Sequence, residues 1–302
     1  MKLGIIKSNI YVDLMKNSKI FFIISTLLII TSILFIIFKG LNFGIDFKGG
    51  ILLEFKSKES NINKIDFIKN NLTNLNIKDF SVKEFSNDFI QIIISLDSKV
   101  NTNNAITTIK NFMNKDYIYL QSQYIGPSVS EQLLYSSIIS IIASFVGIFA
   151  YLWFRFDWQY GAIGVLTLLH DVVVSLFFLS VFNFEFNITT IAGLLTIIGY
   201  SINDTVVIFD QVRENTKKYI KKDINFILNS SISQVLSRSI ATSITVLLVL
   251  LSIFILGGNV LKSFSFTLLV GVFFGTYSSI CIALPLLKYI GNIKARILNA
   301  NK

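Results

Sequence analysis

One cysteine and one histidine among 302 residues remove most metal and disulfide chemistry at the outset. Cys281 has no intrachain partner, and His170 alone cannot build a multi-histidine metal site. Charge is scarce too: Asp, Glu, Lys and Arg make up 15% of the chain, with a formal net charge of +9. No nucleophile–base set is legible. An enzyme is the least supported class, and no cofactor or metal is expected.

What the chain has instead is apolar sequence in long blocks. Hydrophobic residues make up 53%, 28 of them Phe, and the mean hydropathy is +0.65. A soluble domain spreads its apolar residues at helix or strand period. About 20 apolar residues carry a helix across ~30 Å of hydrocarbon. Six segments reach that length: 20–38, 133–154, 160–182, 188–210, 238–256 and 263–287. The first follows a lysine-rich start, as a signal peptide would. It is too long for the apolar region of one, it ends at Lys39-Gly40, and no small-residue cleavage site follows. It is expected to stay as an anchor.

The placement of the basic residues gives the orientation and argues against a nucleic-acid partner. Residues 1–19 hold Lys2, Lys7, Lys16 and Lys19. The stretch after the fourth span holds Arg213, Lys217, Lys218, Lys221 and Lys222, and the tail holds Lys288, Lys294, Arg296 and Lys302. With six spans, all three places lie on one side. Lys and Arg mark the cytoplasmic side, so both termini are expected there, in a multi-pass protein of a cytoplasmic membrane. The segment 211–237, with Ile224, Ile227, Leu228, Val235 and Leu236 among polar residues, predicts an amphipathic helix on the cytoplasmic membrane surface, in contact with lipid.

Residues 40–130 differ in kind, being polar and nearly balanced in charge. A strand is predicted over 51–55, a helix over 61–75, strands over 79–85 and 89–96, a helix over 101–114 and a strand over 117–124. Ser86-Asn87-Asp88 has turn character between the middle strands. The order β-α-β-β-α-β is the ferredoxin-like split arrangement. The domains expected are therefore 1–39, with the first span; 40–130, extracytoplasmic and α+β; and 131–302, with five more spans. The middle domain suits binding of an extended chain or a partner, and equally suits a structural cap.

A charge at mid-membrane costs roughly 2.5–3.5 kcal/mol on insertion scales, so such residues face protein or water. The candidates are His170, Asp171, Asp204, Asp210 and Arg238. On a wheel of the fourth span at about 100° per residue, Thr189, Gly193, Thr196, Tyr200, Asn203 and Asp204 gather on one side. Ile191, Leu194, Leu195, Ile198 and Val206 take the other, which is expected to face lipid. Thr167, Asp171 and Ser175 form an i, i+4, i+8 ladder in the third span. His170 suits a packing role or a proton role. Arg238 opens the fifth span with Thr242 and Thr245 on its face. It is either a boundary anchor or a partner for Asp204. Pairing would hold that carboxylate ionised, and separation would favour its protonated form. Gly271 and Gly275 form a GxxxG helix-contact motif.

These motifs together resemble the SecD/SecF family. The run Phe43-Gly44-Ile45-Asp46-Phe47-Lys48-Gly49-Gly50 after the first span is similar to the motif that opens the family's soluble domain. So is Gly126-Pro127-Ser128-Val129 before the second span. His170-Asp171-Val172, the run from Gly199 to Asp210, Arg213-Glu214-Asn215 and Ser237-Arg238-Ser239 extend the likeness over nearly the whole chain. The resemblance implies an architecture shared with the resistance-nodulation-division transporters. It implies SecD as partner, the SecYEG channel and YajC as associates, and a preprotein chain as cargo in the bacterial inner membrane. It implies a role late in export, driven by the ion gradient, with Asp204 and Arg238 as ion-coupling residues. His170 and Asp171 are further candidates for coupling, and Asn203, Tyr200, Thr196 and Thr242 are the supporting polar face. H⁺ and Na⁺ both suit one carboxylate among hydroxyls. Half of an ion-coupled efflux transporter is the alternative, although about 90 soluble residues is small for a drug-binding pair of domains. A passive scaffold is a third.

Overall fold

The computed structural model describes residues 12–58, 64–74, 80–86, 89–94, 102–114 and 116–290. Lys2, Lys7, Lys294, Arg296 and Lys302, the turn residues Asn87 and Asp88, and the end of the expected strand 89–96 lie outside these. The chain forms two compact units, residues 43–138 and residues 1–42 with 139–302.

The first unit is the expected ferredoxin-like domain. Its elements are β1 (Gly50–Ser57), α2 (Lys64–Asn74), β2 (Phe80–Ser86), β3 (Phe89–Ile94), α3 (Thr102–Met113) and β4 (Tyr117–Ile125), with α1 (Ser18–Lys39) preceding them in the other unit. The strands pair antiparallel in the order β2-β3-β1-β4. The period of two puts Ile51, Leu53 and Phe55 of β1 on one face, opposite Ile94, Ile92 and Ile90 of β3. All six are buried, and Ile68, Leu72, Ile109 and Met113 from the two helices close the core over them. The other face is polar at its centre, where Glu54 accepts hydrogen bonds from Gln91 (3.2 Å) and Gln121 (2.7 Å).

Gly49 has the conformation that this entrance demands. Its φ of +71° is left-handed, and a Cβ there would sit 3.3 Å from Ser130 Oγ and 3.4 Å from the Ile125 carbonyl. An L-residue pays roughly 1–2 kcal/mol for that φ alone. Gly49→Ala is therefore expected to lower the thermal unfolding midpoint of the purified chain by several degrees. Gly40→Ala has a similar φ of +77° but open space around it, so it should lower the midpoint less.

The second unit holds six helices long and apolar enough to cross a membrane. They are α1, α4 (Pro127–Arg155), α5 (Trp158–Val181), α6 (Ile188–Lys218), α7 (Ile224–Leu256) and the last span. That span runs as α8 (Gly258–Ser278), a π-helical turn (Ser279–Ala283) and α9 (Leu284–Ile290). Local sequence explains the starts. Asn187 and Thr190 form a reciprocal capping box at α6, Asp223 caps α7, and Pro127 occupies the first position of α4. α8 packs on α5, α6 and α7, and α1 packs on α5. Few side chains in the most apolar stretches of α1, α4 and α7 are buried.

Two expectations are corrected here. The helix predicted on the membrane surface is not a separate element, because residues 224–237 are the first turns of α7, continuous with the fifth span. Their apolar residues are buried instead against the extended end of α6: Ile224, Leu228, Ile232 and Val235 pack with Ile208, Phe209 and Val212. Polar groups stitch this hairpin together. Asn215 donates to Ser231 Oγ (2.9 Å) and Gln234 Oε1 (3.0 Å), and Asn229 takes the backbone N–H of Met15 (3.1 Å) and donates to Asp13 (2.6 Å). At ~1.5 Å per residue, helices of this length overshoot ~30 Å of hydrocarbon, so the hairpin projects beyond it at the basic end.

The second correction concerns the faces of α6. Ile191, Leu194 and Ile198, expected toward lipid, are 5%, 0% and 1% exposed. Thr196 and Asn203, expected inside, lie on the exposed side with Ala192 and Gly199. The GxxxG motif explains the turn of the helix. Gly271 lets α8 approach Ile197, and a Cβ at Gly275 would stand 3.0 Å from Ser201. The approach is set by small residues, not by polarity.

Candidate ion-coupling site

Asp204 lies on α6 about midway between Ser201 and Ile208, on the buried face of the helix, and is 7% exposed. Among the described residues it accepts no hydrogen bond and closes no ion pair. Arg238, on the exposed side of α7, is the cation whose charge acts on it. No ion pair joins the two among the described residues. An acid held this way has few competing contacts to lose when its proton or counter-ion changes.

The four residues expected to support Asp204 do not surround it. Thr196 and Asn203 are exposed on the outer side of α6, and Thr242 is exposed on α7, its hydroxyl donating to the Arg238 carbonyl (3.0 Å). The Tyr200 hydroxyl is buried with no partner among the described residues. These side chains form an outward polar stripe across a helix surface that otherwise suits lipid. Asp210 and Arg213 sit at the basic end as expected. Arg155 pairs with Asp210 at 2.8 Å, half-exposed, and Arg213 donates to the Arg155 carbonyl at 3.4 Å.

Asp171 and His170 are far more enclosed, at 0% and 2% exposure. His170 Nδ1 lies 3.1 Å from Asp171 Oδ1. Asp171 Oδ2 accepts from Ser201 Oγ of α6 at 2.7 Å and from Ser278 Oγ of the last span at 2.9 Å. The ladder Thr167–Asp171–Ser175 is buried throughout, as its spacing implied. The serines were not legible as site residues. Hydroxyls in apolar helices commonly bond their own i−4 carbonyl, and only the closeness of α6 and α8 turns these two toward Asp171.

The fold and this constellation of buried carboxylates define a class. The model for "Protein export membrane protein SecD/SecF, C-terminal" matches residues 105–293, and that for the "SecD/SecF GG Motif" matches residues 34–60. The chain belongs to the SecD/SecF family of protein export membrane proteins. Within it, the chain is 37% identical over 303 residues to the protein translocase subunit SecF of Calditerrivibrio nitroreducens, covering 97% of this chain and 99% of that one. The SecF subunit of Rickettsia conorii is 37% identical over 297 residues, covering 97% and 96%. The crystal structure of SecDF from Thermus thermophilus, a translocon-associated membrane protein, superposes with a TM-score of 0.86 at 30% identity. That match covers 94% of this chain but 39% of the SecDF chain. A SecDF structure in its super-membrane-facing form gives 0.70 at 29% identity, covering 97% of this chain and 40% of the other.

Proposed function

We propose that the chain works with a SecD partner in the bacterial inner membrane, using the transmembrane ion gradient to promote export of preproteins at a late, extracytoplasmic stage. The observation that carries this reading is Asp204, a carboxylate enclosed in a spanning helix that, among the described residues, has no hydrogen bond and feels the charge of Arg238. Nothing in packing alone requires such a residue, and its desolvation works against the fold. A proton or Na⁺ taken up at Asp204 on one side and released on the other changes the charge between α6 and α7, and with it their packing. The outward stripe of Thr196, Asn203 and Thr242 is where SecD would sit, since polar groups facing lipid are costly and faces that bond another helix are not. The likeness to a SecDF structure supports a SecD partner. SecYEG and YajC are the expected associates, the extracytoplasmic domain 40–130 holds the emerging chain, and both termini are cytoplasmic.

The test is export into inverted membrane vesicles carrying SecD and this chain, with an imposed proton gradient, an imposed sodium gradient or neither. One gradient should stimulate export by wild type. The joint variant Asp204→Asn/Arg238→Gln should show the same basal export and no stimulation. Undiminished stimulation in the joint variant would leave only a scaffolding role.

A further inference from the structure

Among the described residues, the most enclosed acid in the membrane unit is not Asp204 but Asp171. It sits where three elements meet. Its own helix α5 brings His170, α6 brings Ser201, and the last span brings Ser278 at the start of the π-helical turn. Two hydroxyl donors converge on one carboxylate oxygen, and no Lys or Arg among the described residues pairs with it. The same junction carries a second, parallel tie: Thr205 Oγ1 and Ser279 Oγ lie 2.9 Å apart, and Ser279 reaches the Ser201 carbonyl at 3.4 Å. Ser201 and Thr205, four residues apart, share one face of α6, and Asp204 lies between them in sequence. A π-turn adds a residue to a helical turn and recurs where helices change register at functional sites. Here its first residues hold the segment of α6 that carries Asp204.

We propose that Asp171 is a positioning residue for ion coupling. By clamping Ser201 and Ser278 together, it fixes the rotation of α6 at which Asp204 meets the charge of Arg238. The inference rests on Asp204 being the coupling carboxylate. Rotation is the relevant variable because, among the described residues, Asp204 makes no bond that would hold its own orientation. A loosened clamp lets α6 turn, and the carboxylate then samples more of the outer stripe and less of the α6–α7 contact. The other titratable groups at the junction are His170 on α5, Tyr277 in the last span, which contacts Ser25 of α1 at 3.0 Å, and Cys281 beside Tyr277. Gly275 supports the same geometry from the packing side, since its bare Cα leaves room for the Ser201–Asp171 bond, with Asp171 Oδ2 3.5 Å from a Cβ placed there.

The experiment measures the ion concentration that gives half-maximal stimulation of export, in vesicles with SecD present and under the gradient that drives wild type. Asp171→Asn should move it by about tenfold, one unit on a pH scale. Ser278→Ala removes one hydroxyl from a helix that does not carry Asp204, and should move it in the same direction by roughly threefold, as loss of one hydrogen bond implies. Adding Ser278→Ala to Asp171→Asn should have no further effect, because the two act through one contact. A lower maximal rate with an unmoved midpoint in both single variants would mean that the junction is packing alone, and would overturn the proposal. Should Asp171→Asn fail to accumulate, Ser278→Ala alone decides in the same way. An Asp204→Asn chain that keeps its gradient response would sink the coupling reading itself. An unmoved midpoint with Asp204→Asn inactive would sink only this one.

Discussion

Replacing Asp204 with asparagine is expected to abolish the gradient-stimulated part of export while leaving the chain folded and at wild-type abundance. The substitution is nearly isosteric, and Asp204 accepts no hydrogen bond among the described residues that an amide would forfeit. Removing a desolvated charge from a span relieves a cost of roughly 2.5–3.5 kcal/mol on insertion scales, so stability should hold or rise. What is lost is the ability to carry charge through the field. One elementary charge crossing 100 mV is worth about 2.3 kcal/mol, or roughly 50-fold in an equilibrium. The ratio of export with and without the gradient should therefore fall to near one. Two measurements check this: export into inverted vesicles across a series of gradients, and the amount of chain in the membrane. Asp204→Glu, which keeps the charge on a longer arm, should retain part of the response. A full response in Asp204→Asn would overturn the coupling reading of this chain.

How far the sequence spoke depended on which physical signal each element left in it. The β-α-β-β-α-β order of the first unit was legible because its elements carry polar residues on one side, as where Leu53 and Phe55 alternate with Glu54 and Lys56. The six spans were legible from length alone. The faces of α6 were not. Lipid is as apolar as a protein core, so a wheel separates polar from apolar residues without separating inside from outside. Ile191, Leu194 and Ile198 looked like lipid contacts and are buried, while Thr196 and Asn203 looked interior and are exposed. The better signal was Gly271 and Gly275, since small residues mark where backbones close up. The stretch 224–237 misled for a related reason. An amphipathic helix on a membrane and one lying along a partner helix have the same pattern, and only the fold shows that its apolar face meets α6. Asp204 and Arg238 were found by chemistry, as charges where charge is costly. Ser201 and Ser278 were missed because a serine in a spanning helix is ordinary until a neighbour brings an acid within 3 Å of it.

That reliance on small residues leads to the second large effect. Gly271→Leu is expected to prevent the membrane unit from assembling. A single Cβ at Gly271 would overlap the side chain of Ile197, with Ile197 Cγ2 at 2.8 Å and two nearer atoms of the same side chain. Ile197 is 1% exposed and has nowhere to move. Overpacking by a few methylenes costs typically 1–3 kcal/mol in a core that can adjust. Here the obstruction also separates Ser201 of α6 from Ser278 of the last span, so Asp171 of α5 cannot keep both bonds once α8 is pushed off α6. The buried carboxyl of Asp171 would then lose one of its two hydroxyl donors in an apolar medium, which adds the cost of an unsatisfied buried polar group to the packing loss. The two costs share one cause, and relaxing the first makes the second worse. Gly147→Leu supplies the contrast. It places the same side chain in a spanning helix, α4, where nothing lies within 4 Å of the added Cβ. Membrane abundance, and resistance of the purified chain to heat, should collapse for Gly271→Leu and stay near wild type for Gly147→Leu. Equal abundance of the two would mean that α6 and α8 are not held at the distance these glycines permit.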